Sequence, residues 1–233
     1  MNPDYLHADT RDEMKKAVRE NIHYGARVIK IAVDSERYAY SAEDIRFIVE
    51  EAAKSGLKVS ADCSTHAGTH NAAVAGVASI EHGGGMEKAE LELAKKNNVA
   101  FVPTFPPKTV TEEVGFPPEF RQRYADLIKR AFDAGVMLAF GADVIFSRPG
   151  ETPGALAMSY IDSFVEAGIP PKAILQMMTT NAARLAGVEK QRGAIQPGMA
   201  ADLIATPESP LDNILTLKKV TFVMKDGRVI QSQ

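Results

Sequence analysis

The sequence has one cysteine, Cys63, and no tryptophan. A single thiol excludes an internal disulfide framework and fits a reducing compartment. Long apolar runs are missing too. None approaches the ~20 residues needed to span a bilayer, so no membrane span is expected. Neither charge sign dominates: 27 basic residues face 30 acidic ones, net −3, which argues against a nucleic-acid or anionic-membrane surface. The polar stretch from Met1 to Asp9 lacks the basic-then-apolar order of a secretory leader. With the lone thiol this predicts a cytoplasmic protein, export requiring a segment ahead of Met1. What is present is the profile of a packed globular chain: 233 residues, 45% apolar and 24% charged. That length allows one large α/β domain or two small ones.

Two periodicities alternate along the chain. Met14, Ala17, Val18 and Ile22 form a helical stripe opened by the capping box Thr10-x-x-Glu13 and stopped at Gly25. The β-branched run Val28–Val33 reads as a strand buried on both faces. Ser41 and Asp44 open a second helix, followed by a strand over Lys58–Ala61. The unit repeats: helix Ala67–Ala75 and strand Ala78–Glu81, helix Glu87–Lys96 and strand Val99–Thr104, helix Pro118–Ala134 and strand Met137–Ala142. Five strands separated by helices predict a parallel sheet with right-handed crossovers. Helices near Ala155–Ala167 and Pro171–Ala186 follow. The tail then reads as strands Ala201–Thr206, Val220–Met224 and Arg228–Gln231, the last two joined by the hairpin turn Asp226-Gly227.

In parallel α/β folds, functional residues gather at the carboxyl ends of the strands. Lys30 lies within the first strand, Asp62 follows the second, His82 the third and Asp143 the fifth. A lysine, two carboxylates and an imidazole at one mouth make a plausible metal constellation. Each also has a purely structural reading: Lys30 reaching solvent, His82 in a turn or core, Asp143 as a helix cap, Asp62 as an ordinary strand-end aspartate. Their joint occurrence at corresponding strand ends favours the site.

The motifs Val28-Ile29-Lys30-Ile31, Ser79-Ile80-Glu81-His82-Gly83, Phe140-Gly141-Ala142-Asp143, Thr179-Thr180-Asn181-Ala182-Ala183-Arg184-Leu185-Ala186-Gly187 and Gly193-x-Ile195-x-Pro197-Gly198-x-Ala200-Ala201-Asp202-Leu203 closely resemble the amidohydrolase superfamily, nearest its imidazolonepropionase-related and dipeptidase-like members. The resemblance runs along almost the whole chain, and the last two motifs are specific as a pair. It implies a distorted TIM-like (β/α)8 barrel binding one or two divalent ions, usually zinc, with manganese or iron as alternatives. It implies that Lys30 is the fourth-strand lysine, carboxylated in binuclear members to a carbamate with two anionic oxygens. By the same likeness His82 is the sixth-strand ligand, and Asp143 the eighth-strand aspartate that binds metal and acts as general base.

Two departures stand out. Twenty residues before His82, where the family carries its fifth-strand histidine, stands Asp62, a ligand of shorter reach and added negative charge. His66 and His70, spaced i, i+4 just beyond, read as polar surface residues past the strand end, with replacement of the lost ligand as the alternative. Ser64 falls where the Xaa-Pro dipeptidase group carries a tyrosine, which weighs against a prolidase assignment. The first-strand His-x-His pair is absent among the five histidines His7, His23, His66, His70 and His82. The expectation is therefore a C-terminal portion of a longer protein: barrel strands four to eight over residues 1–196, and part of a small β-sandwich domain over 197–233. Five such strands cannot close a barrel alone, so a missing N-terminal half or self-association is expected to cover the open edge. The expected chemistry is hydrolysis of a carbon–nitrogen bond in an amide, cyclic amide or dipeptide-like substrate, with Lys30, Asp62, His82 and Asp143 holding metal. The alternative is a non-catalytic paralogue keeping the fold for binding or assembly.

Overall fold

The structure, a computed structural model, describes residues 6–35 and 38–232; most of the stretch read above for a leader lies outside them. The chain divides into two compact units, Met1–Val102 and Pro103–Gln233.

The first unit alternates helix and strand: α1 Arg11–His23, β1 Val28–Ala32, α2 Ala42–Ala53, β2 Lys58–Cys63, α3 His66–Ala75, β3 Ser79–His82, α4 Lys88–Lys96 and β4 Ala100–Val102. The capping box at Thr10 forms as the sequence predicts, with the Thr10 hydroxyl accepting from the Glu13 N–H and the Glu13 carboxylate accepting from the Thr10 N–H. Ser41 caps α2 in the same way, accepting from the Asp44 N–H. The strands pair in parallel in the order β1-β2-β3-β4. Ile29, Val59, Ala61, Ile80 and Phe101 are buried, together with Ile45, Ile48, Ala52, Ala72, Ala73 and Leu91 from the helices. Burial of these side chains supplies the main drive for folding this unit.

One expectation fails at the first strand. Of the run Val28–Val33 only Ile29 and Val33 are buried, while Val28, Lys30 and Ala32 are exposed. β1 lies at the edge of the sheet and the apolar layer covers only one of its faces, so the strand alternates instead of being buried throughout.

The second unit holds α5 Lys108–Glu113, α6 Pro118–Ala134, α7 Pro153–Ser159, α8 Ile161–Glu166, α9 Pro171–Met178, α10 Thr180–Ala186, β5 Leu203–Ala205, a 3₁₀ helix Ile214–Lys218, β6 Phe222–Lys225 and β7 Arg228–Ser232. Its core includes Ile128, Leu138, Leu156, Ile161, Phe164, Ile174 and Met177. The expected fifth parallel strand, Met137–Ala142, is not a strand. Its polar backbone is satisfied otherwise: the Phe140 N–H donates to the Met177 carbonyl at 3.1 Å, and the Asn181 side-chain amide donates to the Leu138 carbonyl at 2.8 Å. An extended apolar segment with such partners needs no ladder. The two helices read near Ala155–Ala167 and Pro171–Ala186 are each broken in two, at Tyr160 and Thr179.

The tail follows its sequence reading. Strands β5, β6 and β7 form an antiparallel sheet in that order. Asp226 and Gly227, with φ of 49° and 75°, make a two-residue turn with both residues in the left-handed region, whose backbone twist matches that of the flanking strands. Arg192 ties the layer down by pairing with both Asp202 and Asp226, and the Asp226 N–H donates to Asp202.

Candidate active site

Strand register decides which side chains meet. Lys30 is level with Ser60, Ala32 with Asp62, and Asp62 with Glu81. Residues in register, and those two apart on a strand, share a face. Lys30, Ser60, Asp62, Ser79 and Glu81 therefore line one face, opposite the buried layer of Ile29, Val59, Ala61 and Ile80.

His82 is in register with Cys63, and strict alternation would send it to the buried face with that thiol. Its backbone instead takes a φ of 63°, a left-handed conformation uncommon outside glycine and found where structure over-determines it. The ring is thereby re-aimed, and His82 Nε2 lies 3.3 Å from Asp62 Oδ2. The same oxygen is 3.0 Å from Lys30 Nζ. Burial pushes the Asp62 carboxyl up, but hydrogen bonds from His82 and Lys30, with their charges, outweigh it and hold the group below the usual aspartate value. The three side chains stay reachable from solvent, Lys30 being 46% exposed, Asp62 23% and His82 27%.

Two carboxylates that sequence reasoning did not single out support this face. Glu81 Oε1 accepts from the Ser60 hydroxyl at 2.8 Å and the Ser79 hydroxyl at 2.6 Å. Asp34, just past β1, accepts from the Ser64 and Thr65 N–H groups and from the Thr65 hydroxyl at 2.8 to 3.1 Å. It thus fastens the end of β1 to the turn that follows Asp62. A Cβ at Gly68 would sit 1.8 Å from Asp34 Oδ2, so only glycine allows the approach. Period-two alternation already groups Glu81 with Ser79; pairing them with Ser60 needs the register.

Asp143 belongs to the second unit. It is exposed, has a φ of 49°, and follows the segment braced by Asn181. Burial first, and then the charge of Asp143, pushes the Tyr160 phenol up. His66 and His70 turn to α4, where His70 Nδ1 lies 3.0 Å from Glu90 Oε1. Cys63 is fully buried and its thiol is pushed up by burial, which makes it a poor nucleophile.

The donor set suits a divalent ion. A carboxylate and an imidazole already converge within hydrogen-bonding distance, and both are good ligands for zinc or manganese. Lys30 as an ammonium cannot ligate; as a carbamate it offers oxygen ligands. Among the described residues no group of three or more His, Cys, Asp and Glu side chains is arranged to hold an ion, so beside Asp62 and His82 a further donor has to come from Lys30 in that form or from elsewhere.

Known proteins resemble this chain along nearly its whole length. Ochratoxinase from Aspergillus niger is 32% identical over 250 aligned residues, which take in 96% of this chain and 50% of that protein. Among solved structures, a Xaa-Pro dipeptidase with methionine bound in its active site is 29% identical with a TM-score of 0.84, over 97% of this chain and 59% of the other. The crystal structure of A. niger ochratoxinase gives 30% identity and a TM-score of 0.81, over 97% and 55%. The chain thus spans about half the length of the curated relatives it matches. The model of the amidohydrolase family matches residues 2–230, and the chain belongs to that family.

Proposed function

We propose that this chain carries part of a metal-dependent amidohydrolase site that cleaves the carbon–nitrogen bond of an amide or dipeptide-like substrate. The single observation that supports it best is the meeting of Lys30 and His82 on one oxygen of Asp62, on the strand face where family membership leads one to look for ligands. Asp62 and His82 would hold a divalent ion, zinc being the first choice, with Lys30 joining as a carbamate; Asp143 is assigned to the same chemistry by family likeness alone. Such an ion, when bound, lowers the pKa of water toward neutrality and polarises a carbonyl. Asp143 is assigned the proton work: it takes a proton from the attacking water and gives it to the nitrogen as the carbon–nitrogen bond breaks. Asp62, itself held by Lys30, fixes the position of the His82 ring through its Nε2. We assign residues 1–196 to the hydrolase portion and 197–233 to a separate β layer, of which the sheet β5-β6-β7 forms part.

The test has two arms. The 233-residue protein is loaded with zinc or manganese in bicarbonate, and bound metal is counted in wild type, Asp62→Asn and His82→Asn. One tightly held ion per chain, retained through dialysis and lost in both variants, is expected. N-acyl amino acids, dipeptides and cyclic amides are then screened for amine release, with and without a family segment supplying the His-x-His pair. Turnover is expected only when that pair is supplied. Metal content unchanged by both substitutions would overturn the site, and turnover surviving Asp143→Asn would overturn the role given to Asp143. Stable folding with neither metal nor turnover under any condition would favour the non-catalytic paralogue.

A further inference from the structure

His66 and His70 make a second arrangement that the proposed reaction does not use. They lie four residues apart on α3, hence on one helical face, with ring centroids 6.4 Å apart. Both rings are open to solvent, at 63% and 48% exposure. Their Nδ1 atoms are engaged with acceptors. His70 Nδ1 lies 3.0 Å from Glu90 Oε1, and His66 Nδ1 lies 3.3 Å from the Gly85 carbonyl and 3.5 Å from Glu90 Oε2. Glu90 is 1% exposed and its Oε2 also accepts from the Glu87 N–H at 3.1 Å. Burial pushes its carboxyl up, but the His70 hydrogen bond and the backbone N–H groups outweigh this and keep it ionised.

A carboxylate and a carbonyl can only accept. Each neutral ring must therefore carry its proton on Nδ1 and leave the Nε2 lone pair free of a proton. A carboxylate behind the Nδ1–H of an imidazole is the usual device for orienting a metal ligand and raising its basicity. We propose that His66 and His70 form a two-histidine chelate for a divalent ion that favours imidazole, namely Zn2+, Ni2+ or Cu2+, bound through the two Nε2 atoms with water completing its shell. Glu90 is the shared positioning residue. With only two protein donors, the site is an exchangeable surface site, separate in its residues from Asp62 and His82.

The experiment uses the full chain carrying His82→Asn, so that loss of the proposed active-site ion cannot be confused with loss of this one. Cu2+ alone is titrated by calorimetry, and nitrogen coupling is read by electron paramagnetic resonance. One ion with imidazole nitrogen coupling is expected. His66→Ala with His70→Ala weakens binding by about tenfold or more, and Glu90→Gln weakens it by about tenfold, with both rings still present. As a check that needs no substitution, Ni2+ is expected to protect His66 and His70 of the wild-type chain from carbethoxylation, mapped by mass spectrometry. Unchanged Cu2+ affinity in the double variant, no saturable binding at millimolar concentration, or equal modification of both histidines with and without Ni2+ would overturn the proposal.

Discussion

Asp62 Oδ2 lies 3.0 Å from Lys30 Nζ, so the aspartate is the counter-ion of the lysine. A neutral histidine at position 62 would leave Lys30 without that fixed negative partner. The carboxylate instead favours the ammonium form of Lys30, which cannot ligate, over the carbamate, which can. Two substitutions separate these effects. Asp62→Asn removes the charge and the proposed ligand, and zinc affinity is expected to fall by about tenfold or more, some 1.4 kcal/mol. Asp62→His removes the charge but restores a ligand, and is expected to hold zinc at least as well as wild type, with more carbon dioxide fixed on Lys30. Equilibrium dialysis with zinc and mass measurement of the carbamate in bicarbonate read the two quantities. Equal zinc affinity in all three proteins would show that Asp62 is not a ligand.

The left-handed backbone at His82 carries a stability cost that can be measured. With φ at 63°, a side chain at this position costs about 1 kcal/mol relative to glycine. His82→Gly is therefore expected to be more stable than His82→Ala by about 1 kcal/mol in urea unfolding, although both lose the imidazole proposed as a ligand. A glycine variant less stable than the alanine variant would mean that this conformation carries no strain.

Much of this was legible in the sequence because it rests on local chemistry. The caps at Thr10 and Ser41, the α6 helix and the Asp226-Gly227 hairpin follow from neighbours within four residues. Lys30, Asp62 and His82 could be picked out because strand ends are marked by the change of period; register then puts Lys30 and Asp62 on one face, whereas His82 joins them only through its left-handed backbone, which periodicity does not record. Met137–Ala142 misled because Leu138 and Ala139 are buried as a strand's residues would be. Its hydrogen-bond partners, Met177 and Asn181, lie some forty residues on, and periodicity carries no record of them. The breaks at Tyr160 and Thr179 have neither proline nor glycine to announce them. The carboxylates Asp34, Glu81 and Glu90 are not marked in the sequence for a common reason: each has at least one partner, Thr65, Ser60 and His70 in turn, that only the packed structure brings near.

Asp34 and Gly68 are matched in a way that two substitutions expose. Asp34 satisfies two backbone N–H groups and one hydroxyl at the turn after β2, and Gly68 leaves the space for it. Asp34→Ala leaves those donors without their charged acceptor and is expected to cost about 2 kcal/mol. Gly68→Ala drives a methyl group into the carboxylate and is expected to cost about as much. The double variant should lose less than the sum, because alanine at position 34 removes the carboxylate that the new methyl group would meet at 1.8 Å, leaving only the Cβ of residue 34 at 2.9 Å to be eased apart. Strict additivity in urea unfolding would show that the two residues do not compete for the same space.

Glu90 gives a pH dependence whose sign is fixed. Its carboxyl is held below the ordinary value of 4.5, since hydrogen bonds from His70 and the backbone outweigh the effect of burial. A group whose pKa is lower in the folded than in the unfolded state adds stability that is fully present above the unfolded value. That stability is lost as pH falls through the folded value. The stability difference between wild type and Glu90→Gln is thus expected to be largest near neutral and mildly acidic pH, at about 2 kcal/mol, and to shrink steadily below pH 4.5. Taking the difference between the two proteins cancels the other carboxylates, which titrate alike in both. Urea unfolding of the pair across that range is the measurement. A difference that stays constant through it, or grows as the solution becomes more acidic, would mean that Glu90 is not the ionised anchor of His70.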